Sequence, residues 1–211
     1  QLHGKMISAF FHAAKSLWWM SEAQEKRYLE RFPFLQKNDS VVLSSVFDDD
    51  FFAFVNSLEG KERERNGWIV LGSNSWIKGY EQAEEYCKSN GLEYEVVWGL
   101  PYKQLLAKLA DAEGFVYLPE GGDTCPRMVI EAKALGCELV LNEHVQHANE
   151  EWFTGSKEDM LAYLYGARER FWRAIKSVHQ HVPTISGYTT VRNATQMSYP
   201  WKSTVASMLG F

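Results

Sequence analysis

The chain has 211 residues and a formal net charge of −5, a length that suits one large domain or one and a half smaller ones. This acidic balance argues against a surface that coats nucleic acid, since such surfaces are strongly basic. The three cysteines form neither a CxxC pair nor an even disulfide set, and no apolar run reaches the roughly 20 residues that a spanning helix needs. We therefore predict a cytoplasmic chain without a transmembrane segment.

The first 66 residues carry short elements of mixed type. Ser21 and Gln24 form a capping box that predicts the start of a helix, and Pro33 ends that helix. The charge-dense run EGKERERNG, residues 59–67, has no apolar side chain and is predicted to be a linker or an exposed turn. In chain order the predicted elements are a helix in HGKMISAFFHAAK, a strand in SLWWM, the capped helix to about Phe32, a strand in SVVLSS and a helix in FDDDFFAFVNSL.

From residue 67 to residue 142 short apolar strands alternate with helical segments. This alternation is typical of βαβ units and predicts an α/β fold, a Rossmann-like parallel sheet with helices on both faces. The predicted strands are GWIVLG, YEVVWG, FVYLP and ELVLN, and the predicted helices are KGYEQAEEYCKSNG, PYKQLLAKLADAEG and PRMVIEAKALG. Beyond them Ser156 and Asp159 cap a predicted long helix that ends near His181, and WKSTVASML is predicted to form a last short helix.

Three loops follow the carboxyl ends of the first three of these strands. They are GSNSWIKG, GLPYKQ and PEGGDTCPR, at residues 72–79, 99–104 and 119–127. In an open parallel sheet such loops gather at one edge, and ligands bind there. We therefore expect the functional residues in these three loops.

The third loop has the composition of a phosphate-binding turn. Pro126 suits the first turn of a helix, so nearby backbone N–H groups would lie at the positive end of the helix dipole; they belong to Thr124, Cys125 and Arg127. Gly121 and Gly122 let the backbone approach a ligand closely. Asp123 and Glu131 are eight residues apart, and two carboxylates at this spacing could read two sugars of one ligand with a diphosphate between them.

The stretch DTCPRMVIEAKALGC resembles the donor-binding motif of retaining glycosyltransferases with the GT-B fold, of the family 4 type, in which the loop reads roughly E-G-F-G-x-x-x-x-E-A-x-A-x-G. Asp123 takes the first acidic position and Glu131 the second. The resemblance implies that Glu131 holds the nucleotide ribose hydroxyls. It also implies that Asp123 contacts the donor hexose near the reacting carbon, and that the loop amides hold the diphosphate.

The first loop is similar to the strand-G-R-x-x-x-x-K-G passage of the same family, whose Arg and Lys neutralise the diphosphate leaving group. Gly72, Lys78 and Gly79 match this pattern, but Ser73 stands where the Arg is expected. Either Lys78 works with Arg127 instead, or phosphate binding is weakened. The second loop resembles the nucleobase-contacting turn of the family, with its contacts expected at Gly99, Leu100 and Pro101.

The resemblance extends over nearly the whole chain. It implies that residues 1–58 are the tail of an N-terminal GT-B domain with a linker to about residue 66, and that residues 67–211 are a nucleotide-sugar-binding domain. The helix at Trp201 would be the family's C-terminal helix that crosses back to the other domain. Because GT-B enzymes place the acceptor site in a preceding Rossmann domain, the chain is expected to be either a fragment of a longer enzyme or a donor-binding module.

The function that the resemblance implies is retaining transfer of a hexose-type sugar from a nucleotide-diphospho-sugar to a glycan or another acceptor, without a metal or a cofactor. The catalytic residues would be Asp123, Lys78 and Arg127. Two alternatives stay open, a non-catalytic nucleotide-sugar-binding or scaffold module and a nucleotide-sugar epimerase. The expected donor-binding residues are Gly72, Ser73, Lys78, Gly99, Leu100, Pro101, Gly122, Asp123, Thr124, Cys125, Pro126 and Glu131.

Several other residues are predicted to be structural. His144 and His147 have an HxxH spacing but no third ligand nearby, so they are interpreted as loop residues and not as a metal site. Cys125 lacks a base that would activate it, and we expect it to pack. The tryptophans expected in the core or in contacts between domains are Trp18, Trp19, Trp152, Trp172 and Trp201.

Overall fold

The computed structural model describes residues 2–180, and their first part forms a small α/β unit around a two-stranded sheet. Its elements are α1 (Leu2–Ala13), β1 (Ser16–Trp19), α2 (Glu22–Arg31), β2 (Asp39–Val42) and α3 (Asp49–Ser57), with a 3-10 turn at Pro33–Lys37. β1 and β2 run parallel in register from Ser16 opposite Asp39. The predicted order of helix, strand, helix, strand and helix is confirmed.

The ends of α2 follow the predicted signals. The hydroxyl of Ser21 accepts a hydrogen bond from the backbone N–H of Gln24 at 3.1 Å, and the Gln24 side chain accepts one from the N–H of Met20 at 2.8 Å. These bonds satisfy N–H groups that the first helical turn cannot satisfy itself. At the other end Phe32 is the last cap residue, and Pro33 starts the 3-10 turn.

Four further strands form a second sheet that is parallel throughout. They are β3 (Trp68–Leu71), β4 (Tyr94–Val97), β5 (Gly114–Tyr117) and β6 (Glu138–Leu141), and they are connected by α4 (Tyr80–Ser89), α5 (Tyr102–Asp111) and α6 (Arg127–Ala134). Their order across the sheet is β4-β3-β5-β6. The predicted alternation of strands and helices from residue 67 to residue 142 is confirmed.

Side chains along these strands alternate between two apolar clusters, because successive residues of a strand point to opposite faces. Phe115 and Tyr117 pack with residues of α3, α5 and α6. Val70 and Val116 pack against Cys87 of α4 on the other face. Full burial of each such side chain contributes about 1.5–3 kcal/mol. The prediction of helices on both faces is confirmed.

The predicted long helix after Ser156 is broken, and in this respect the prediction is wrong. The structure has α7 (Glu151–Thr154), then α8 (Lys157–Tyr165) and α9 (Ala167–Gln180), with Gly166 between the last two. Glycine is a poor helix former, because its backbone loses the most freedom on ordering. The Ser156 cap itself is confirmed, since its hydroxyl accepts the Asp159 N–H at 3.0 Å. The predicted helix end at His181 and the helix at Trp201 lie outside the described residues.

The predicted linker, residues 59–67, has no helix or strand before β3, but side chains fix it to the core. The guanidinium of Arg65 donates to the carbonyl oxygens of Ala112 at 2.9 Å and Leu135 at 2.6 Å, which cap α5 and α6. Arg63 forms an ion pair with Asp111 at the end of α5. The segment is therefore irregular in backbone but anchored at two helix ends.

The tryptophans divide between the core and the surface. Trp19 and Trp152 are buried, as predicted. Trp18 is exposed, although its ring meets Phe171 of α9 edge-on at 5.5 Å, a contact between the N-terminal unit and the later part of the chain. Trp172 is also exposed and belongs to neither apolar cluster, so a core position is wrong for it, and a contact between domains stays a prediction. Among residues 2–180 no helix has the length and apolar character that crossing a membrane requires.

Candidate functional site at the carboxyl edge of the sheet

The strand order creates a crevice between β3 and β5. β4 lies on one side of β3 and β5 on the other, so the chain leaves β3 in one direction and later returns on its opposite side. In open α/β sheets ligands bind at such a switch point, outside the carboxyl ends of the strands. The first and third predicted loops, which follow Leu71 and Tyr117, flank this crevice. We call this edge, with residues 72–79, 98–101 and 118–126, the loop edge.

The first and third loops pack directly on each other. The N–H of Glu120 donates to the carbonyl of Ile77 at 3.1 Å. Gly79 has a left-handed backbone with φ of 63°, and a Cβ atom there would lie only 1.8 Å from the carbonyl oxygen of Leu118. Only glycine fits this close approach. Gly79, which the sequence analysis assigned to a phosphate motif, thus also allows the first loop to pack on the third loop.

Lys78 and Asp123 meet across the crevice. The Lys78 Nζ atom lies 2.6 Å from Asp123 Oδ2, and the Tyr117 hydroxyl donates to the same oxygen at 2.5 Å. The Asp123 side chain is 14% exposed and the Lys78 side chain 36% exposed. Burial and the neighbouring carboxylate raise the pKa of Tyr117 well above its usual range, so its hydroxyl remains a donor. Asp123 is therefore a carboxylate held by two donors at the mouth of the crevice.

The backbone around Asp123 is held like a short strand. Its N–H donates to the carbonyl of His144 at 2.8 Å, and its carbonyl accepts the N–H of Gln146 at 3.0 Å, which forms a parallel bridge between Asp123 and Val145. Within residues 2–180 the N–H groups of Thr124 and Cys125 make no hydrogen bond. These two donors, next to the start of α6, remain available to an anion.

Glu131 lies beside the second loop, on α6. It is only 3% exposed, its Oε1 accepts the Tyr102 hydroxyl at 3.0 Å, and the Nε of Arg127 lies 3.7 Å away. Burial raises the pKa of Glu131, and the bond from Tyr102 and the charge of Arg127 oppose that rise. Because Tyr102 opens α5 directly after Gly99–Pro101, this bond joins the second loop to α6.

Arg127 does not join Lys78 at Asp123. Its guanidinium lies over the ring of Phe47 at 4.6 Å and pairs with Glu131. The side chain is half exposed at the start of α6. The structure thus gives each predicted carboxylate its own cation.

The remaining predicted positions take varied environments. Gly72 lies against Trp98, where a Cβ atom would come within 3.0 Å of the indole ring. The hydroxyl of Ser73 accepts the N–H of Ser75 at 3.1 Å. Gly99 has φ of 62°, Pro126 is buried as the cap of α6, and Leu100 is half-buried beside an exposed Pro101.

Cys125 is buried, in line with the packing role expected for it. The Ser45 hydroxyl lies 3.3 Å from both its carbonyl oxygen and its sulfur. Burial raises the pKa of the thiol, which favours the inert protonated form.

Four aromatic residues at this edge were not predicted as site residues. Trp76 and Trp98 are 67% and 56% exposed; Trp76 lies in the first loop, and Trp98 lies between the end of β4 and the second loop. Tyr102 and Tyr117 donate to the two carboxylates. Their position after or at the ends of strands is the signal that could have identified them.

His147 is not an ordinary loop residue. It lies in a turn, as predicted, but its ring is fully buried, stacked on Trp152 with 5.4 Å between ring centroids and perpendicular to Phe153 at 4.6 Å. Neither ring nitrogen has a hydrogen-bond partner in the described part of the chain. Burial lowers the pKa of His147 to about 4, so the ring is neutral at pH 7. No group of three or more potential metal ligands occurs among residues 2–180.

Comparison with models of known protein families gives no match to this chain, and comparison with curated protein sequences gives none either.

Proposed function

We propose that this chain provides the donor side of a retaining, metal-independent glycosyltransferase of GT-B architecture, which transfers a hexose-type sugar from a nucleotide-diphospho-sugar. The observation that carries the proposal is the meeting of Lys78 and Asp123, 2.6 Å apart, at the switch point of a parallel sheet. Glu131 stands on the helix that starts from the same loop. Two carboxylates, each paired with its own cation, suit a diphosphate that joins two sugars.

The diphosphate would bind between Lys78 and the start of α6. Lys78 is partly exposed, so its ammonium group can turn from Asp123 to a phosphate oxygen. The open N–H groups of Thr124 and Cys125 would supply neutral donors beside it. Asp123, released from Lys78 but still held by Tyr117, would then accept hydroxyl groups of the hexose.

The ribose would bind at Glu131. Its carboxylate is nearly closed off by Tyr102, whose hydroxyl occupies Oε1. Ribose binding therefore requires the partly exposed Tyr102 to move aside or to share that oxygen. The base would then lie towards Gly99 and Trp98, at the open end of the second loop.

The chemistry follows from charge at the leaving group. The bond between the anomeric carbon and the phosphate oxygen breaks, and its electron pair stays on the diphosphate, where Lys78 and the loop N–H groups stabilise it. Such preorganised electrostatic stabilisation usually contributes more to catalysis than any other single effect. The acceptor hydroxyl attacks from the face that the phosphate leaves, and its proton passes to the departing phosphate oxygen. No separate base is needed, and the configuration is retained.

The first test is calorimetric titration of the chain with UDP, GDP, ADP and their sugars, with and without a divalent metal. We expect one nucleotide to bind without metal, and Lys78→Met and Asp123→Asn each to weaken binding about tenfold or more, the loss of one charge-assisted hydrogen bond. Lys108→Met is the matched control, because Lys108 makes an ion pair of the same length, 2.6 Å, with Glu95 away from the loop edge. Equal affinity for wild type, Lys78→Met and Asp123→Asn would refute the proposal.

A non-catalytic nucleotide-sugar-binding module is the second candidate, and the observation that favours it is Ser73. The position expected to carry a cation holds a hydroxyl that is already bonded to Ser75. With Lys78 as the one cation of the first loop, binding would persist while leaving-group stabilisation would fall. Nucleotide binding without turnover of any nucleotide-sugar in the presence of acceptor glycans would favour this candidate, and steady release of nucleotide would exclude it.

A further inference from the structure

A cleft of about 340 Å³ lies on the other side of the 122–124 loop. One wall is α2, through Arg27, Tyr28 and Arg31, and the opposite wall is formed by Gly122, Thr124 and Gln146. We call it the α2 cleft. It brings a helix of the N-terminal unit against the loop that carries Asp123.

The two arginines of the α2 cleft have no acidic partner in the part of the chain that the structure describes. They stand four residues apart on α2, so their side chains are neighbours on one face of the helix. Neither guanidinium forms an ion pair among residues 2–180. Adjacent like charges weaken a helix. Arg31 is favoured by its place in the last turn of α2 and lies over the Phe32 ring at 5.7 Å, whereas Arg27 has neither advantage.

Gln146 adds a donor whose direction is fixed. The Ser21 hydroxyl accepts the N–H of Gln24 and donates to Gln146 Oε1 at 3.2 Å. Because that oxygen is occupied, the amide NH2 of Gln146 faces Gly122, where a Cβ atom would lie 2.5 Å from Nε2. The same Cβ atom would lie 3.1 Å from an Arg27 guanidinium nitrogen. Gly122 thus leaves room where an amide and a guanidinium converge.

The α2 cleft is separate from the Lys78–Asp123 pair. Around Asp123 the backbone pairs as a short strand, so Gly122 and Thr124 face one side and Asp123 the other. Gly122 and Thr124 line the cleft, whereas Asp123 bonds Lys78 and Tyr117. One strand of backbone therefore divides the two sites.

The helix wall is held firmly in place. Glu150 is buried, and its Oε1 accepts the backbone N–H of Glu22 at the start of α2 at 2.8 Å, while Oε2 accepts the indole N–H of Trp152 at 2.6 Å. With the Ser21–Gln146 bond, this fixes α2 to the turn after β6. The backbone of α2 and the Gln146 amide are thus fixed before any ligand binds, while the exposed Arg27 and Arg31 side chains extend from this fixed helix.

We propose that the α2 cleft binds a phosphate group of the acceptor. The residues of the cleft carry the inference of a phosphate, and its assignment to an acceptor rests on the proposed transferase function. Two guanidinium groups and an amide offer more donors than the two oxygens of a carboxylate can accept, whereas a phosphate monoester presents three oxygens. Ile7 and Phe32 line the cleft as well, and they suit an apolar body attached to the phosphate. Across the dividing loop, the acceptor would lie next to the donor hexose.

The test is an NMR titration with sn-glycerol 3-phosphate, followed through the Gln146 side-chain NH2 signal and the Gly122 backbone amide. We expect both signals to shift on binding. Arg27→Ala with Arg31→Ala should weaken binding at least about tenfold, and Arg27→Lys with Arg31→Lys should weaken it less, since lysine keeps the charge but not the guanidinium fork. The matched control is Lys26→Ala with Lys37→Ala, which removes two exposed lysines that do not line the cleft.

A second arm distinguishes a lipid phosphate from a soluble one. Vesicles containing phosphatidic acid are compared with vesicles of phosphatidylcholine alone, and with glycerol 3-phosphate. Arginine-dependent binding to phosphatidic acid that is tighter than to glycerol 3-phosphate identifies a lipid-linked acceptor, and equal affinities identify a soluble phosphate. Phosphate binding that is equal in wild type, in the double-alanine variant and in the lysine control overturns the inference.

The donor proposal and this one fail independently. Two titrations distinguish the two proposals. The double variant Arg27→Ala, Arg31→Ala is titrated with nucleotide, and Lys78→Met is titrated with glycerol 3-phosphate. Loss of nucleotide binding in Lys78→Met with phosphate binding retained supports two sites. Phosphate binding without any nucleotide binding leaves the α2 cleft as an anion site and refutes only the donor side. Phosphate binding lost in Lys78→Met overturns the division between the sites.

Discussion

The 122–124 loop has charged side chains on both of its sides, and the two sides are built in opposite ways. On one side Lys78 and Tyr117 both donate to Asp123, so every charge has a partner. On the other side Arg27 and Arg31 stand together with no ion pair to an acid among residues 2–180. A paired charge contributes to the stability of the fold, whereas an unpaired pair of like charges reduces it. The comparison indicates that the first side is complete before a ligand arrives and that the second is not.

The largest effect on stability is expected from disturbing the contact between Gly79 and Leu118, on the side of the 122–124 loop that holds the Lys78–Asp123 pair. Gly79→Ala would force a Cβ atom to within 1.8 Å of the Leu118 carbonyl in a backbone with φ of 63°. Overpacking and left-handed strain together should reduce the free energy of unfolding by about 4 kcal/mol or more. Urea unfolding of the variant and the wild type measures this difference in the free energy of unfolding. Gly91→Ala, at the same φ but with no atom within 4 Å, should lose only about 1 kcal/mol, and equal losses would contradict the contact.

The next effect concerns His147, which lies next to the wall residue Gln146 and is buried with no hydrogen-bond partner within residues 2–180. Its pKa falls from 6.5 in the unfolded chain to about 4 in the folded one, so between those pH values the unfolded state binds more protons. The contribution of the neutral His147 ring to the free energy of unfolding is fully present above pH 6.5. It declines as the pH falls towards 4, by about 3 kcal/mol in all.

His147→Phe isolates this effect, since a phenyl ring fits between Trp152 and Phe153 and does not titrate. We expect the variant to be as stable as wild type or more stable at pH 7.5, because a buried group without partners is removed. Its loss of stability between pH 6.5 and 4 should be smaller than that of wild type. Parallel stability curves for the two proteins would show that the imidazole does not contribute.

A smaller effect on stability is expected from removing Lys78, the cation that pairs with Asp123. Lys78→Met leaves a 14% exposed carboxylate with the Tyr117 hydroxyl as its remaining donor, and the free energy of unfolding should fall by about 1 kcal/mol. Lys108→Met breaks an ion pair of equal length whose acid, Glu95, is 55% exposed, so it should cost less. Chemical unfolding at low and high salt checks both, and a larger loss for Lys108→Met would reverse the ranking.

The smallest effect should have the opposite sign. Arg27→Ala removes one of two like charges four residues apart and should stabilise the protein by about 0.3 kcal/mol at low salt. Arg173→Ala is the control, since Arg173 pairs with Glu169 at the same spacing, at 3.0 Å, and its loss should destabilise by a similar small amount. Opposite shifts in thermal unfolding at low salt would sharpen the comparison, and a destabilising Arg27→Ala would contradict it.

The sequence was informative wherever a local pattern decides the structure. Alternating strands and helices, the Ser21 cap and the Ser156 cap depend on neighbours in sequence, and all were predicted. The placement of the three loops at one edge also follows from parallel strands alone. The break at Gly166 was missed although a glycine marked it, because the apolar pattern on both sides suggested one helix.

Contacts between distant segments could not be predicted in the same way. The Lys78–Asp123 pair depends on β3 and β5 being neighbours, and several sheet orders are compatible with the same sequence. The placement of the Arg127 guanidinium over Phe47 depends on another segment of the chain, whereas its pairing with Glu131 is a local contact four residues apart on α6. The burial of His147 was hidden because its turn is polar in sequence and is covered by Trp152 and Phe153.

The anchoring of residues 59–67 has a mechanical consequence. Arg65 joins this segment to the carbonyls of Ala112 and Leu135, which precede β5 and β6. A pull on the chain before residue 59 is therefore transmitted to the amino-terminal ends of β5 and of the edge strand β6, with the Arg63–Asp111 ion pair as a second anchor. That end is the far side of the sheet from Lys78 and Asp123, so tension entering through this segment spares the loop edge.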